Sequence, residues 1–325
     1  MIAVIGAGAW GTALANAMAQ ADDVLIWARE PEVVDAINGT HANPLFLAGI
    51  ELSPRVKATM DLGDLAGIDL WLVVPPAQFL GRVLASAPLA ANPTLVLCAK
   101  GIETGSHRLM AEVAADAAPD APLAVLSGPS FAAETARGLP TAVTLAADTM
   151  ERAAALAERL SRPTFRPYAS DDIAGAEIGG AVKNVLAIAC GVVIGAGLGE
   201  NARAAIIARG FAEMTRFGVA RGGRAETLAG LSGLGDLVLT CGSTQSRNMS
   251  LGMALGRGQT AEQALSGKLS VAEGAATAPV LVEAATAAGV DMPIATAVAD
   301  LLAGRANVRD VMDRLLNRPL RAELR

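Results

Sequence analysis

Short apolar runs alternate with segments of helical period through the first half of the chain. The runs are Met1–Ile5, Val24–Trp27, Leu70–Val74, Thr94–Cys98, Leu123–Leu126 and Thr141–Leu145. Between most of them lie helical patterns: Trp10–Gln20, a segment from Pro31, Phe79–Ala87, His107–Ala118 and Met150–Leu160. Short buried strands alternating with helices predict a mostly parallel sheet covered on both faces. Segment 39–60 is less regular and reads as a loop with short strands. Beyond about residue 170 the strand pattern stops. Helical patterns follow at 172–194, 201–220, 247–256, 260–266, 273–288 and 294–303. Asp171-Asp172 before an apolar run resembles a helix start. The expectation is an α/β domain over 1–171 and an all-α domain over 172–325, with the charged tail from Arg305 forming a surface helix.

Gly6-Ala7-Gly8-Ala9-Trp10-Gly11 fits G-x-G-x-x-G and lies between the first run and the first helix. That context makes it a dinucleotide fingerprint and the first domain a Rossmann-type, doubly wound sheet. Gly6 permits the tight turn, Gly8 lets backbone approach a pyrophosphate, and Gly11 allows close helix–strand packing. The helix start supplies free N–H groups to the phosphates. The end of the second strand reads Trp27-Ala28-Arg29-Glu30. A guanidinium there suits a ribose 2′-phosphate, so NADP(H) is favoured and NAD(H) stays possible. The alternatives are an exposed Arg29, or Glu30 on the ribose.

Ligands of open α/β sheets bind beyond the carboxyl ends of the strands. Lys100 leaves one strand end, and Ser127-Gly128-Pro129-Ser130 follows another. A solvated loop lysine and an ordinary turn are the competing readings. Lys183 is the only charged residue between Glu177 and Glu200, in a helix apolar on every side. Lysine is seldom buried without a partner, and desolvation favours its neutral form, which makes it usable as a general base. A lysine reaching to the surface from the first turn is the alternative. Asp236 could orient a buried ammonium or cap a helix. Arg247 follows a Ser/Thr-rich loop, as a phosphate clamp would, or is a surface arginine.

Composition narrows the functional classes. The chain has 325 residues, 52% of them hydrophobic, enough for about two domains. Lys+Arg number 26 against Asp+Glu 32, for a net charge of −6. That balance, with only three Trp, one Tyr and six Phe, argues against nucleic acid as a partner. Cys98, Cys190 and Cys241 are widely spaced, which fits small buried hydrophobes in a reducing cytoplasm. Two histidines, His41 and His107, leave little for a zinc site or a Ser-His-Asp triad, so no metal is expected. The apolar first nineteen residues lack a basic start and contain the glycine motif, so they are not read as a secretory signal. The stretch 178–199 is long enough to span a bilayer but contains Lys183, Asn184 and six glycines. A buried helix is expected, with no stable membrane insertion.

Taken together, the ordered motifs resemble the bacterial type of NAD(P)-dependent glycerol-3-phosphate dehydrogenase. They are GAGAWGTALA at 6–15, KGIE at 100–103, SGPSFAAE at 127–134, GLPTAV at 138–143, EIGGAVKN at 177–184, AAIIARGFAEMTRFG at 204–218, GLSGLGDLVLTC at 230–241, SRN at 246–248 and VAEG at 271–274. The resemblance implies reversible reduction of dihydroxyacetone phosphate to sn-glycerol 3-phosphate, supplying a phospholipid precursor. It implies Lys183 as the proton acceptor in oxidation, and Lys100 in contact with cofactor and substrate. It assigns Gly128, Ser130, Asp236, Ser246, Arg247 and Asn248 to substrate, with Arg247 also reaching the cofactor. It places Trp10, Arg29, Ala132, Val271 and Glu273 along the nucleotide. A homodimer is the expected assembly. Glu200-Asn201-Ala202-Arg203 stands where the family often has Asp-Asn-x-Lys, which keeps the charges. Ala272 replaces a commoner valine, which leaves the alignment of Val271 less secure. Rival readings are a 3-hydroxyacid dehydrogenase, separable by its carboxylate substrate, and a catalytically silent NADP(H) sensor, which would not need Lys183, Lys100, Asp236 and Arg247 together.

Overall fold

The computed structural model describes residues 1–266 and 272–317. The chain divides into two compact units, Met1–Ala181 with Gly218–Asp236, and Val182–Phe217 with the chain from Leu237 onward.

The first unit contains ten strands: β1 (Ile2–Ile5), β2 (Val24–Trp27), β3 (Ala42–Asn43), β4 (Leu47–Glu51), β5 (Val56–Thr59), β6 (Leu70–Val73), β7 (Thr94–Leu97), β8 (Leu123–Ser127), β9 (Thr141–Ala147) and β10 (Phe165–Ser170). Its helices are α1 (Ala9–Met18), α2 (Pro31–Thr40), α3 (Leu80–Ala85), α4 (Met110–Ala117), α5 (Ala132–Ala136) and α6 (Met150–Leu160), and α7 (Ile173–Gly195) begins in it. The end of α8 (Gly199–Ala220), then α9 (Ala225–Leu228), a π-helical turn (Leu231–Gly235) and the first residue of α10 (Asp236–Gly242) complete it.

Eight strands form one sheet in the order β10-β9-β8-β7-β6-β1-β2-β5, while β3 and β4 pair separately. Neighbours are parallel except β8 and β9. Successive residues of the central strands enter opposite cores. Ile2, Val4 and Leu72 pack with Leu14, Val33 and Ile37 on one face. Ala3, Ile5 and Trp71 pack with Leu80, Leu84 and Met110 on the other. Burial on both faces is what the uninterrupted apolar runs require. The strand order reverses at β1, which lies between β6 and β2. In doubly wound sheets that reversal marks the ligand crevice.

The β10 strand carries no apolar run. Its sequence, FRPYAS, is half-buried and pairs only with β9 at the sheet edge, where Pro167 is tolerated.

The second unit is helical in its described residues: the rest of α7, most of α8 and of α10, then α11 (Arg247–Gly256), α12 (Ala261–Leu265), α13 (Glu273–Ala287), α14 (Pro293–Leu302) and α15 (Val308–Leu316). Glycines set the crossing of α7 and α11. A Cβ at Gly191 or Gly195 would overlap the carbonyl of Met249 or Met253, and one at Gly252 or Gly256 would overlap that of Ile188 or Val192. Backbones this close need bare Cα atoms at all four positions. The helix α7 is long and apolar enough to cross a membrane by length and composition, yet 89% of its most apolar window is buried within the protein.

Candidate active site

Gly6 bridges β1 and α1 with φ +105°. A Cβ there would lie 3.3 Å from Pro75 N and from Val74 C, at the end of β6. A Cβ on Gly11 would overlap Gly6 O, whereas one on Gly8 would meet nothing within 4 Å. The three glycines thus divide the work as the motif requires: turn, open approach and close packing. Gly8 is the N-cap of α1 and contributes no side-chain acceptor to the first turn. The indole Nε1 of Trp10 is buried without a hydrogen-bond partner in the same turn. Open space over Gly8 beside an orphaned donor fits a dinucleotide.

The loop is braced by a residue the sequence did not single out. Asn43 is buried, and its Nδ2 donates at 2.8 Å to both Ala7 O and Thr12 Oγ1. Thr12 Oγ1 also donates to Ala7 O at 3.2 Å. Arg29 follows β2 with its side chain 79% exposed, and its Nη2 pairs with Glu30 Oε1 at 3.1 Å. Ala132 opens α5 and packs partly buried against the core.

Four expected substrate residues meet in the first unit. Lys100 Nζ donates to Asp236 Oδ2 at 2.7 Å and to Gly128 O at 3.4 Å. Ser130 Oγ donates to the same Gly128 O at 2.9 Å. Gly128 cannot be replaced freely, because a Cβ there would stand 2.8 Å from Val143 Cα. Asp236 is fully buried and directly follows the π-helical turn, a distortion frequent at functional sites.

In the second unit Lys183 is 8% exposed, and its Nζ donates to Thr240 Oγ1 at 3.1 Å. Thr240 follows Asp236 by four residues on α10, so the two share a helix face. That spacing was the signal available for Thr240. Asn184 follows Lys183 directly, and its Oδ1 accepts from Asn248 Nδ2 at 2.9 Å. Its Nδ2 reaches Glu273 Oε2 at 3.5 Å. Asn248 Oδ1 accepts from Gly274 N at 3.0 Å, which ties the starts of α11 and α13 together. Ser246 is the N-cap of α11, accepting from Met249 N at 3.2 Å. Arg247 is the first residue of that helix and is exposed. Val271 lies outside the described residues.

All three cysteines are buried and unpaired as disulfides. Burial pushes the Cys98 thiol up to about 12, which keeps it protonated and inert at neutral pH.

Two models of one family match the two halves of the chain. Residues 1–153 match the N-terminal model of NAD-dependent glycerol-3-phosphate dehydrogenase, and 172–313 match its C-terminal model. A glycerol-3-phosphate dehydrogenase [NAD(P)+] of Erythrobacter litoralis is 60% identical over 99% of this chain and 97% of its own length. The Caulobacter vibrioides protein of the same name is also 60% identical, over 99% of this chain and 98% of its own. The crystal structure of glycerol-3-phosphate dehydrogenase from Coxiella burnetii superposes with a TM-score of 0.92 at 39% identity, covering 98% of each chain. The chain belongs to the NAD-dependent glycerol-3-phosphate dehydrogenase family.

Proposed function

We infer that this protein reduces dihydroxyacetone phosphate to sn-glycerol 3-phosphate with NAD(P)H, reversibly, and so supplies the glycerophospholipid backbone. Family membership over nearly the whole chain carries the reaction. The buried Lys183, held by Thr240, supports the chemistry.

The nicotinamide cofactor, when bound, supplies the hydride to the carbonyl carbon. Gly6, Gly8, Trp10 and Gly11 hold its diphosphate end, with Ala132, Val271 and Glu273 as further contacts. Arg29 meets the adenosine ribose, and its exposed guanidinium favours NADP(H) over NAD(H). Lys183 holds a proton at Nζ and delivers it to the oxygen that becomes the alkoxide, and in oxidation it takes that proton back. Thr240 Oγ1 fixes the direction in which Nζ points. Lys100, oriented by Asp236 and Gly128 O, contacts both substrate and cofactor, with Ser130 beside it. Arg247 and Asn248 bind the substrate phosphate at the start of α11. The guanidinium, the first backbone N–H groups and the positive end of the helix dipole all favour an anion there. Ser246 secures that helix start. Binding energy from the phosphate aligns the carbonyl for transfer.

Residues 1–171 serve as the dinucleotide-binding domain and 172–325 as the substrate domain in this reading. Three buried free thiols accord with a cytoplasmic enzyme, and the working form is a homodimer.

The test is NADPH consumption with dihydroxyacetone phosphate, with NADH and unphosphorylated dihydroxyacetone in parallel. Rapid consumption restricted to the phosphorylated ketone is expected. Saturable NADPH binding without turnover would leave the dinucleotide site standing and remove the substrate. An Arg29→Ala variant is expected to weaken NADPH more than NADH, and an equal effect on both would remove the 2′-phosphate role.

A further inference from the structure

Lys100 leaves β7 on a loop that returns to the sheet through α4. Ile102 and Leu109 close this loop as an antiparallel bridge. Gln78 braces it, donating to Ile102 O at 2.8 Å and accepting from Thr104 N at 3.0 Å. The N-cap of α4 is Leu109, which has no side-chain oxygen for the free N–H groups of the first turn. Glu177 on α7 fills that role from 66 positions away, its Oε1 accepting from Ala111 N at 2.8 Å. The Met110 backbone also acts on this carboxyl, favouring its charged form. Glu177 is 5% exposed, and its Oε2 is buried without a partner. The charged groups that act on it are Glu112 of α4 and Arg221 beyond α8, which pair with each other at 3.1 Å. Three residues along α7, on the same face, stands Gly180. A Cβ on Gly180 would lie 3.3 Å from both Cγ and Cδ of Lys100. One face of α7 therefore holds both ends of segment 100–111.

We propose that Glu177 is a positioning residue for Lys100: it anchors the first turn of α4 to α7 and so fixes the loop whose other end carries the lysine. The proposal rests on the reading that Lys100 contacts substrate and cofactor. Burial pushes the Glu177 carboxyl up to about 8, and the Glu112 charge acts in the same direction. The backbone donors and the Arg221 charge oppose it. The anchor is accordingly a neutral acid at neutral pH, and its ionisation in mild alkali puts an unsolvated charge at the α7–α4 junction.

The experiment compares E177A and E177Q in the full-length chain. Amide hydrogen exchange across 100–111, measured without substrate, is expected to be at least about tenfold faster in E177A and within about threefold of wild type in E177Q. Between pH 7 and 9 the wild-type segment should lose protection beyond the intrinsic rate change, and the E177Q segment should not. In turnover, E177A is expected to lower kcat/KM for dihydroxyacetone phosphate about tenfold or more, with E177Q restoring most of it. In a Lys100→Ala background the E177A loss should vanish, because the residue it positions is gone. Unchanged exchange in E177A, or losses that add in full to those of Lys100→Ala, would overturn the proposal. If E177A does not fold, E177D, one methylene short of Ala111, takes its place. Normal turnover by Lys100→Ala would sink the lysine's role, and with it the purpose of the anchor, even if the exchange result stands.

Discussion

Lys100 Nζ donates to Asp236 Oδ2 at 2.7 Å, with the two side chains 14% and 1% exposed. The pair joins the end of β7 to the first residue of α10, and the π-helical turn before α10 delivers the carboxylate. Removing one partner of a buried ion pair costs about 3–5 kcal/mol. Asp236→Ala is therefore expected to lower unfolding stability on that scale in urea melts and to collapse kcat/KM. Asp236→Asn retains an acceptor for Lys100, so it should unfold less easily than Asp236→Ala. Equal stability of wild type and Asp236→Ala would show that the pair adds nothing to the fold.

Lys183 tests the proton-transfer assignment. Its Nζ donates to Thr240 Oγ1, and the helix around it is apolar. Lys183→Ala should lower kcat by about 10²–10⁴-fold, the span usual for a general acid–base group. NADPH affinity, followed by fluorescence titration, should stay within about threefold, since no nucleotide contact is assigned to Lys183. Near-normal turnover would remove the assignment, and a loss of NADPH binding as large as the loss of turnover would make the residue structural.

The features legible in the sequence are those that depend on neighbouring residues. The glycine turn follows from spacing within six residues, and α6 occupies Met150–Leu160 as its periodicity predicts. The uninterrupted run around Lys183 announced a buried helix, and α7 is one. Contacts across long sequence separations were not legible. Asn43 supports the glycine loop from 36 positions away, and nothing in its surroundings signals that role. The π-helical turn that presents Asp236 packs on Gly179 of α7, where a Cβ would overlap Ser232 O, a tertiary constraint absent from any local pattern. The β10 strand escaped because an edge strand needs only one apolar face. The four glycines at 191, 195, 252 and 256 look like breakers in sequence and prove to be the contact surface between α7 and α11.

Glu213 gives stability a pH dependence. It sits on α8, and its two oxygens accept from Ile294 N at 2.8 Å and Ala295 N at 3.3 Å, at the start of α14. Burial pushes its carboxyl up to about 7 from the ordinary 4.5, against the pull of those donors. An acid raised in the native state binds more protons folded than unfolded, so unfolding releases a proton between about 4.5 and 7. Its contribution to stability is therefore undiminished below that window and falls as pH rises through it. Glu213→Gln keeps a neutral side chain of the same shape. Relative to wild type, its stability should rise by about 1–3 kcal/mol between about pH 4.5 and pH 8, in denaturant melts across pH. A constant difference at all pH values would show that the group does not titrate in this range.

Gly8 and Gly11 separate binding from folding. A methyl group on Gly11 would overlap Gly6 O, while one on Gly8 meets nothing within 4 Å. Gly8 has φ −65° and ψ −179°, which alanine adopts without strain. Gly8→Ala should therefore fold normally, losing at most about 1 kcal/mol as an N-cap change. If Gly8 faces the pyrophosphate as proposed, the added methyl should lower NADPH affinity by about tenfold or more. Gly11→Ala must displace the turn itself and should cost about 1–3 kcal/mol of stability, the scale of an overpacked site, together with cofactor binding. Thermal melts with and without NADPH distinguish the two. Gly8→Ala should melt like wild type when empty and gain little from the nucleotide, while Gly11→Ala should melt early in both. The reverse pattern would mean that the open side of the loop faces something other than the cofactor.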